Sequence, residues 1–241
     1  FRFDLASKQL DQLTDGPHDD FDPHELPSGR IVFTSTRWNG LVPCANEGVA
    51  ILHVMEADGS DIHSISVNSE TEFDPSIMLD GRILFGRWEY IDKTALTQQS
   101  LWTVYPDSSN ETALYANNMV FPEAILDARQ VPGAPHLVCG SFTPHNSTPR
   151  GCIAMVDTGM GKNDPAAIFN FDTPGHPTNN RGSSCEPWPL SADTVLYSTM
   201  VDGKNVLMLA HRDADDRVTR TIVFRDEIDC HTPIPLRPRA V

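Results

Sequence analysis

Residues 21–33 read FDPHELPSGRIVF, and residues 73–85 repeat this stretch as FDPSIMLDGRILF. The two copies align without a gap, at an offset of 52 residues from Asp22 to Asp74. Each copy has Asp-Pro near its start, turns at a glycine and continues into an apolar strand. Glycine is suited to such turns because it adopts a positive φ at no steric cost. A repeat of this length predicts a fold assembled from similar units.

Fainter copies follow the two clear ones. One begins at Phe121-Pro122, another at Cys185-Glu186-Pro187, and Cys230-His231-Thr232-Pro233 repeats that second start. Each unit holds about four short apolar strands in roughly 45–65 residues, which is typical of a propeller blade. One small twisted sheet cannot bury both of its faces alone, so blades stack and cover each other. We therefore predict an all-β fold, a β-propeller of four-stranded antiparallel blades.

The unit count predicts about four to five blades in this chain, within a six- or seven-bladed ring. The predicted propeller domain is 1–230, with blade units 1–15, 16–68, 69–118, 119–180 and 181–229. Residues 231–241 start the next unit or form a proline-rich linker. The half-units at the two ends either complete a fifth blade together or continue into a larger ring. We favour the larger ring because the two halves lack a clear second strand.

The composition excludes several classes of protein. Hydrophobic residues make up 39% of the 241, which is too many for a disordered chain. The formal net charge of −15 argues against a nucleic-acid partner, and no apolar run is long enough to span a membrane. The five cysteines form no Cys-x-x-Cys motif. Cys139 and Cys152 could face each other across a hairpin, although buried free thiols are the commoner state.

The repeats resemble the TolB-type propeller repeat, whose hallmark is Asp-Pro, a turn ending in Asp-Gly and then an apolar strand. A narrower likeness is to the propeller domain of the hydrazine synthase alpha subunit and its planctomycete-type relatives. The segments that carry this likeness are 33–37 (FTSTR), 86–92 (GRWEYID), 140–145 (GSFTPH) and 236–239 (LRPR). The resemblance implies an extracytoplasmic location, periplasmic or equivalent, and a large complex in which multihaem domains make hydrazine from nitric oxide and ammonium.

The chain departs from that family in its haem chemistry. Covalent haem c requires Cys-x-x-Cys-His, and Cys230-His231 has Glu227 where the first cysteine would stand. Haem c would therefore belong to other parts of the parent protein, an oxidoreductase-type enzyme. The predicted function of this segment is a non-catalytic scaffold that binds protein partners or other domains of the same complex.

Several acids and histidines precede the innermost strands, where a propeller gathers residues around its central channel. A carboxylate ring suits a hard cation such as Ca²⁺, with Asp22 and Asp74 as the candidate ligands, or a cationic peptide. The structural alternative, which we favour, is that these two acids cap turns and accept backbone N–H bonds. The candidate binding residues on this rim are Asp20, Asp22, His24, Glu72, Asp74, Glu123, His145, Glu186 and His231.

A second set follows the repeated strands and is predicted to lie at blade interfaces. Arg37, Arg87 and Glu89 are expected in ion pairs between neighbouring blades, with Trp88 covering the join. Binding of a substrate anion by the arginines is the less common alternative.

An enzyme is the competing class of function. The chain has no HExxH spacing and no Gly-x-Ser-x-Gly elbow. A propeller lyase can still collect metal ligands from several blades, and paired carboxylates can serve a glycoside hydrolase. The alternative to the scaffold is therefore a metal-dependent polysaccharide lyase or a glycoside hydrolase with its site at the central channel mouth.

Overall fold

The computed structural model describes residues 1–43, 45–90, 98–145, 149–172 and 182–236. Within these ranges, helical structure is limited to three short 3-10 turns, at Thr36–Trp38, Thr158–Met160 and Pro165–Ala167. In the same ranges, no helix has the length and apolarity that a membrane crossing requires. The prediction of an all-β fold is confirmed.

The strands form a small hairpin and four successive antiparallel sheets. The hairpin pairs β1 (Arg2–Phe3) with β2 (Leu10–Asp11). The first sheet contains β3 (Asp20–Glu25), β4 (Ile31–Ser35), β5 (Ile51–Met55) and β6 (His63–Ser64). The second contains β7 (Glu72–Ile77), β8 (Ile83–Trp88), β9 (Gln99–Val104) and β10 (Thr112–Tyr115).

The third and fourth sheets repeat this order of strands. The third contains β11 (Ala124–Val131), β12 (Ala134–Thr143), β13 (Cys152–Asp157) and β14 (Ile168–Asn170). The fourth contains β15 (Ser184–Ser191), β16 (Thr194–Val201), β17 (Lys204–Arg212) and β18 (Val218–Phe224). A single parallel bridge from Gln99 to Ala124 joins the second sheet to the third.

The sheets are arranged as blades around a common centre. The first strand of each sheet contacts the first strand of the next, β3 with β7, β7 with β11, and β11 with β15. Four-stranded antiparallel sheets in this arrangement confirm the predicted blades. The ring size, the domain bounds and the unit bounds stay predictions, and residues 237–241 lie outside the described part of the chain.

The hydrophobic core lies between the sheets. One cluster joins the first and second sheets, a second joins the second and third, and a third joins the third and fourth. Side chains alternate between the two faces of a strand. In β8, Phe85 therefore packs toward the first sheet while Leu84 packs toward the third. This alternation lets the second and third sheets each bury both of their faces.

The cysteines do not form the pair considered above. Cys139 lies opposite Met155 in the β12–β13 register, and Cys152 lies opposite Phe142. The two thiols belong to different interblade clusters because they face opposite sides of the sheet. Cys139, Cys152, Cys185 and Cys230 are free and buried, and Cys44 lies outside the described residues.

Candidate functional site

The first strand of every sheet carries the same bulge near its middle. In β3 one extra residue lies between Phe21 and His24, and the equivalent shift occurs in β7, β11 and β15. The residues at the four bulges share a carboxylate side chain and a positive φ of 52–54°. We call this row the carboxylate ladder; its members are Asp22, Asp74, Asp127 and Glu186.

Each carboxylate of the ladder accepts a hydrogen bond from a backbone N–H further along the chain, which for the three aspartates lies in the next blade. Asp22 accepts from the N–H of Asp74, and Asp127 accepts from the N–H of Glu186. Asp74 Oδ2 accepts from the N–H of Asp127 at 2.8 Å. Glu186 Oε2 continues the series by accepting from the N–H of Thr232 at 2.5 Å. The ladder therefore ties each blade to its successor.

Aspartate suits this position for two physical reasons. A positive φ is costly for most residues that carry a Cβ, and aspartate tolerates it better than most because its short side chain bonds locally. The carboxylate also supplies an acceptor for a backbone N–H on the neighbouring strand. Leaving such a buried group unpaired costs about 1–3 kcal/mol.

The three aspartates of the ladder have raised pKa values. Burial raises the pKa of Asp22, and a hydrogen bond from Asp74 only partly offsets this. Burial and the charge of Asp127 raise the pKa of Asp74 well above its usual range. Burial also raises the pKa of Asp127 to about 6, although the nearby Arg129 guanidinium acts in the opposite direction.

The third unit corrects the sequence analysis. Glu123 was predicted to lie on the rim, but it precedes β11 and the acid at the bulge is Asp127. Glu123 Oε2 instead accepts the backbone N–H of His145 at 2.7 Å. Its side chain therefore holds the loop after β12, outside the ladder.

A weak sequence signal for Asp127 did exist. Asp22 stands seven residues before the turn glycine Gly29, and Asp127 stands six residues before Gly133. Both glycines have a positive φ, of 86° and 78°. The signal was missed because Ala128 replaces the proline that follows Asp22, so the Asp-Pro motif is broken in this unit.

Asp20 opens β3 but serves its own blade. Its carboxylate pairs with the Arg37 guanidinium at 2.7 Å. Burial tends to raise the pKa of Asp20, but hydrogen bonds from Ser35, Arg37 and Thr14 outweigh it and hold the pKa below its usual range. His24 lies further along β3, opposite Val32.

Glu72 opens β7 and is buried between the first two blades. Its Oε2 accepts the backbone N–H of Leu52 in β5 at 3.1 Å and also a hydrogen bond from Ser66. Burial raises the pKa of Glu72. This carboxylate is thus a second bond between blades, separate from the ladder.

The arginine pairs lie within blades, which corrects their predicted place between blades. Arg37 bonds to Asp20 of the same sheet, and Arg87 contacts Glu72 at 3.5 Å and pairs with Glu111, both of the second sheet. Arg87 and Glu72 are direct partners in the β7–β8 register, so the neighbouring strand of the same sheet holds an acid within reach of the guanidinium.

Trp88 does lie at the join between blades. It packs against Val49 and Ile51 of the first blade. Its ring also lies 5.2 Å from the ring of His145, whose pKa burial lowers. Glu89 is buried beside it, and its backbone N–H donates to Gln98. These residues form a packed interblade contact and are not part of the carboxylate ladder.

One group of metal-ligating side chains lies around Glu186, the last member of the carboxylate ladder. Cys185, Glu186 and His231 each place a donor atom within 4.8 Å of the others, and no other group of three or more occurs in the described ranges. Burial raises the pKa of the Cys185 thiol to about 12, and the negative charge of Glu186 adds to the shift. Glu186 and His231 were predicted rim residues, whereas Cys185 was missed. Asp22 and Asp74 both accept backbone N–H groups, as the structural alternative predicted. Calcium binding by these two carboxylates stays a prediction.

Comparison with known proteins identifies the fold. No protein-family model matches the chain, and no curated protein matches it. The Kuenenia stuttgartiensis hydrazine synthase is similar in structure, with a TM-score of 0.69 and 15% identity over 88% of this chain and 30% of that one. The tricorn protease has a TM-score of 0.57 and 14% identity over 94% of this chain and 21% of that one. The fold is a β-propeller.

The likenesses extend no further than the fold at these identities. An oligogalacturonate lyase from Vibrio parahaemolyticus is more distant, with a TM-score of 0.49 and 13% identity over 81% of this chain and 49% of that one. This propeller spans less than a third of the hydrazine synthase and tricorn protease chains. The TolB-type assignment is finer than these similarities and stays a prediction.

Proposed function

We propose that this propeller is a non-catalytic scaffold of a larger extracytoplasmic protein, where it binds protein partners or other domains of one complex. On this proposal the parent is of the hydrazine synthase alpha-subunit type, with haem c held outside this segment. The likeness to hydrazine synthase supports the parent type, and the sequence resemblance supports the location.

The observation that carries the scaffold proposal is the exposure of the outermost strand. The six residues from Thr219 to Phe224 in β18 are all exposed. Successive residues of a strand point to opposite faces, so both faces of β18 are uncovered. Ile222, Val223 and Phe224 contribute apolar surface there, at 42%, 49% and 50% exposure. Exposed apolar patches of this kind mark surfaces that bind another protein surface.

The opposite end of the chain shows the same property. In the β1–β2 hairpin region, Phe1, Phe3, Leu5 and Leu10 are all exposed. The N-terminal hairpin region and the fourth sheet thus present apolar side chains to solvent, while the three clusters between the four sheets are buried. The ladder supports the same view, because its carboxylates are engaged in bonds between blades.

Site-specific photo-crosslinking in the producing cells tests this proposal. A photoreactive amino acid replaces Phe3 or Phe224 in the parent protein, and His136, which is exposed on β12, is the matched control. We expect crosslinks from positions 3 and 224 to another polypeptide or to a domain of the parent outside the propeller, and none from position 136. Crosslinks only to further blades of the same propeller would show that the ring itself covers these faces and would contradict the scaffold. Equal or absent crosslinking at all three positions contradicts the scaffold.

The enzyme alternative makes the opposite prediction. A lyase or glycoside hydrolase would cleave a polysaccharide as the purified 241-residue chain, without any partner. Turnover by that chain, abolished by substitutions at the channel mouth, would replace the scaffold proposal.

A further inference from the structure

Glu186, the last member of the carboxylate ladder, has a thiol and an imidazole beside it. Cys185 precedes Glu186 in β15, and His231 reaches the same place from the segment after β18. The three donor atoms, a sulfur, a carboxylate oxygen and an imidazole nitrogen, lie within 4.8 Å of one another. Two separate parts of the chain therefore converge on one point.

The Glu186 carboxylate is held with one oxygen turned to the histidine. Oε2 accepts hydrogen bonds from Ser198 Oγ at 2.7 Å and from the N–H of Thr232 at 2.5 Å. Oε1 lies 3.1 Å from His231 Nδ1. Two donors thus fix the orientation of the carboxylate through Oε2, which leaves Oε1 facing the site.

The histidine is oriented through its other ring nitrogen. His231 Nε2 lies 2.9 Å from Asn205 Nδ2, and Asn205 is almost completely buried. The Oδ1 atom of Asn205 is buried without a hydrogen-bond partner in the described part of the chain. A half-turn of this amide lets Oδ1 accept Nε2–H, which leaves the Nδ1 lone pair directed at Glu186. Metal-binding histidines commonly donate their second N–H to such an acceptor.

Two acids and two arginines set the charge around the site, and Arg129 acts on Asp127. The carboxylates of Glu186 and Asp127 interact with the Cys185 sulfur, and they also interact with each other. The Arg150 guanidinium donates a hydrogen bond to the same sulfur, and its positive charge acts against those of the two acids. A bound cation offsets the repulsion between the acids.

We propose that Cys185, Glu186 and His231 bind one divalent transition-metal ion of the zinc class, with a fourth position open to solvent. A sulfur, nitrogen and oxygen donor set suits Zn²⁺ and disfavours Ca²⁺, which takes oxygen ligands. Donors around tetrahedral zinc lie roughly 3.3–3.6 Å apart, from metal–ligand distances of about 2.0–2.3 Å. The half-exposed His231 side chain can make this approach and provides the entry path.

Cobalt titration of the tag-free 241-residue chain tests the proposal. Co²⁺ serves as the spectroscopic probe and Zn²⁺ as its competitor. We expect one Co²⁺ per chain, with a near-ultraviolet sulfur-to-cobalt band and the visible bands of a four-coordinate ion, both removed by Zn²⁺. Cys185→Ser abolishes the sulfur band, and His231→Asn and Glu186→Gln each weaken Co²⁺ binding at least about tenfold.

Matched controls keep the result interpretable. Cys152→Ala removes a buried thiol in a different cluster, and His136→Asn removes an exposed imidazole on β12. Both controls should bind Co²⁺ as the wild type does. Zn²⁺ should raise the Tm of both controls, and it should leave the Tm of Cys185→Ser and of His231→Asn unchanged. His231→Asn lies on an exposed segment, so it stays informative if the buried Cys185→Ser variant misfolds. Absence of stoichiometric Co²⁺, or a cobalt signal unchanged by both Cys185→Ser and His231→Asn, overturns the site and leaves the scaffold proposal intact.

Discussion

The middle and the end of the carboxylate ladder use one backbone position in two ways. Asp74 and Asp127 are enclosed by neighbouring blades and have raised pKa values, because burial disfavours their charged forms. Glu186 has the same positive φ and the same bond to the next segment, yet it lies beside a buried thiol and a half-exposed imidazole. The repeated bulge thus gives every copy the same hydrogen bond to a later backbone N–H. The side chains around each copy determine the other properties of its carboxylate.

Removing the acceptor at the middle of the ladder should have the largest effect. Asp74→Ala leaves the partly buried N–H of Asp127 without its acceptor. It also places alanine, which has no polar side chain to bond locally, at a φ of 52°. We expect a loss of roughly 2–4 kcal/mol in the free energy of unfolding, from the unpaired donor and the backbone strain together. Urea denaturation measures this loss.

Two comparisons separate the causes of that loss. Asp74→Asn keeps a carbonyl acceptor and tolerates the same φ, so it should cost less than about 1 kcal/mol. Asp216→Ala tests mainly backbone strain, since Asp216 has a φ of 60° on an exposed turn and its side chain makes only a surface ion pair with Arg212 at 3.7 Å. If Asp74→Ala is no worse than Asp216→Ala, the bond between blades contributes nothing.

The charge of Asp127 should make stability depend on pH. Its folded pKa of about 6 lies above the roughly 3.9 of an unfolded aspartate. The folded state therefore binds the proton more tightly, and the stabilising contribution is full below pH ~4 and lost as the pH rises through about 6. The slope reaches at most about 1.4 kcal/mol per pH unit for one proton.

The difference between wild type and Asp127→Asn reports this effect together with the rise that, on top of burial, the Asp127 charge causes in the pKa of Asp74. Burial lowers the pKa of His53 and His145, which changes stability in the opposite direction near neutral pH, but both histidines are present in both proteins. We expect the free energy of unfolding of the wild type to fall relative to Asp127→Asn between pH 4 and 6, by chemical denaturation at each pH. A constant difference over that range means that Asp127 does not titrate as described.

The last rung should tolerate loss of its carboxylate best. Glu186→Ala removes the acceptor for the Thr232 N–H, which water can replace on this exposed segment. It also removes the acceptor for the buried Ser198 hydroxyl, which can rotate toward another acceptor. We expect a loss of about 1–2 kcal/mol, mainly from the positive φ, and less than for Asp74→Ala. Equal losses in urea denaturation would show that the two ends of the ladder are energetically alike.

Much of the fold could be predicted from particular residues. The repeat of Asp22-Pro23 at Asp74-Pro75, with a glycine turn before each apolar strand, indicated blades because turn chemistry and two-residue alternation are local properties. The Glu186-Pro187 copy was found by the same rule. Asp127 was missed because Ala128 follows it, so the local pattern was lost although the bulge was kept.

Local sequence patterns were enough to predict the all-β class, the blade repeat and the lack of a Cys-x-x-Cys-His motif, because each depends on residues close together along the chain. Tertiary packing set the other contacts: the aspartates of the ladder bond to the next blade, Arg37 and Arg87 pair within their own sheets, and Cys185 lies beside His231. These contacts join residues that are far apart in sequence or choose between equally plausible partners. Such choices are made by which strands pack side by side, and no local pattern encodes that.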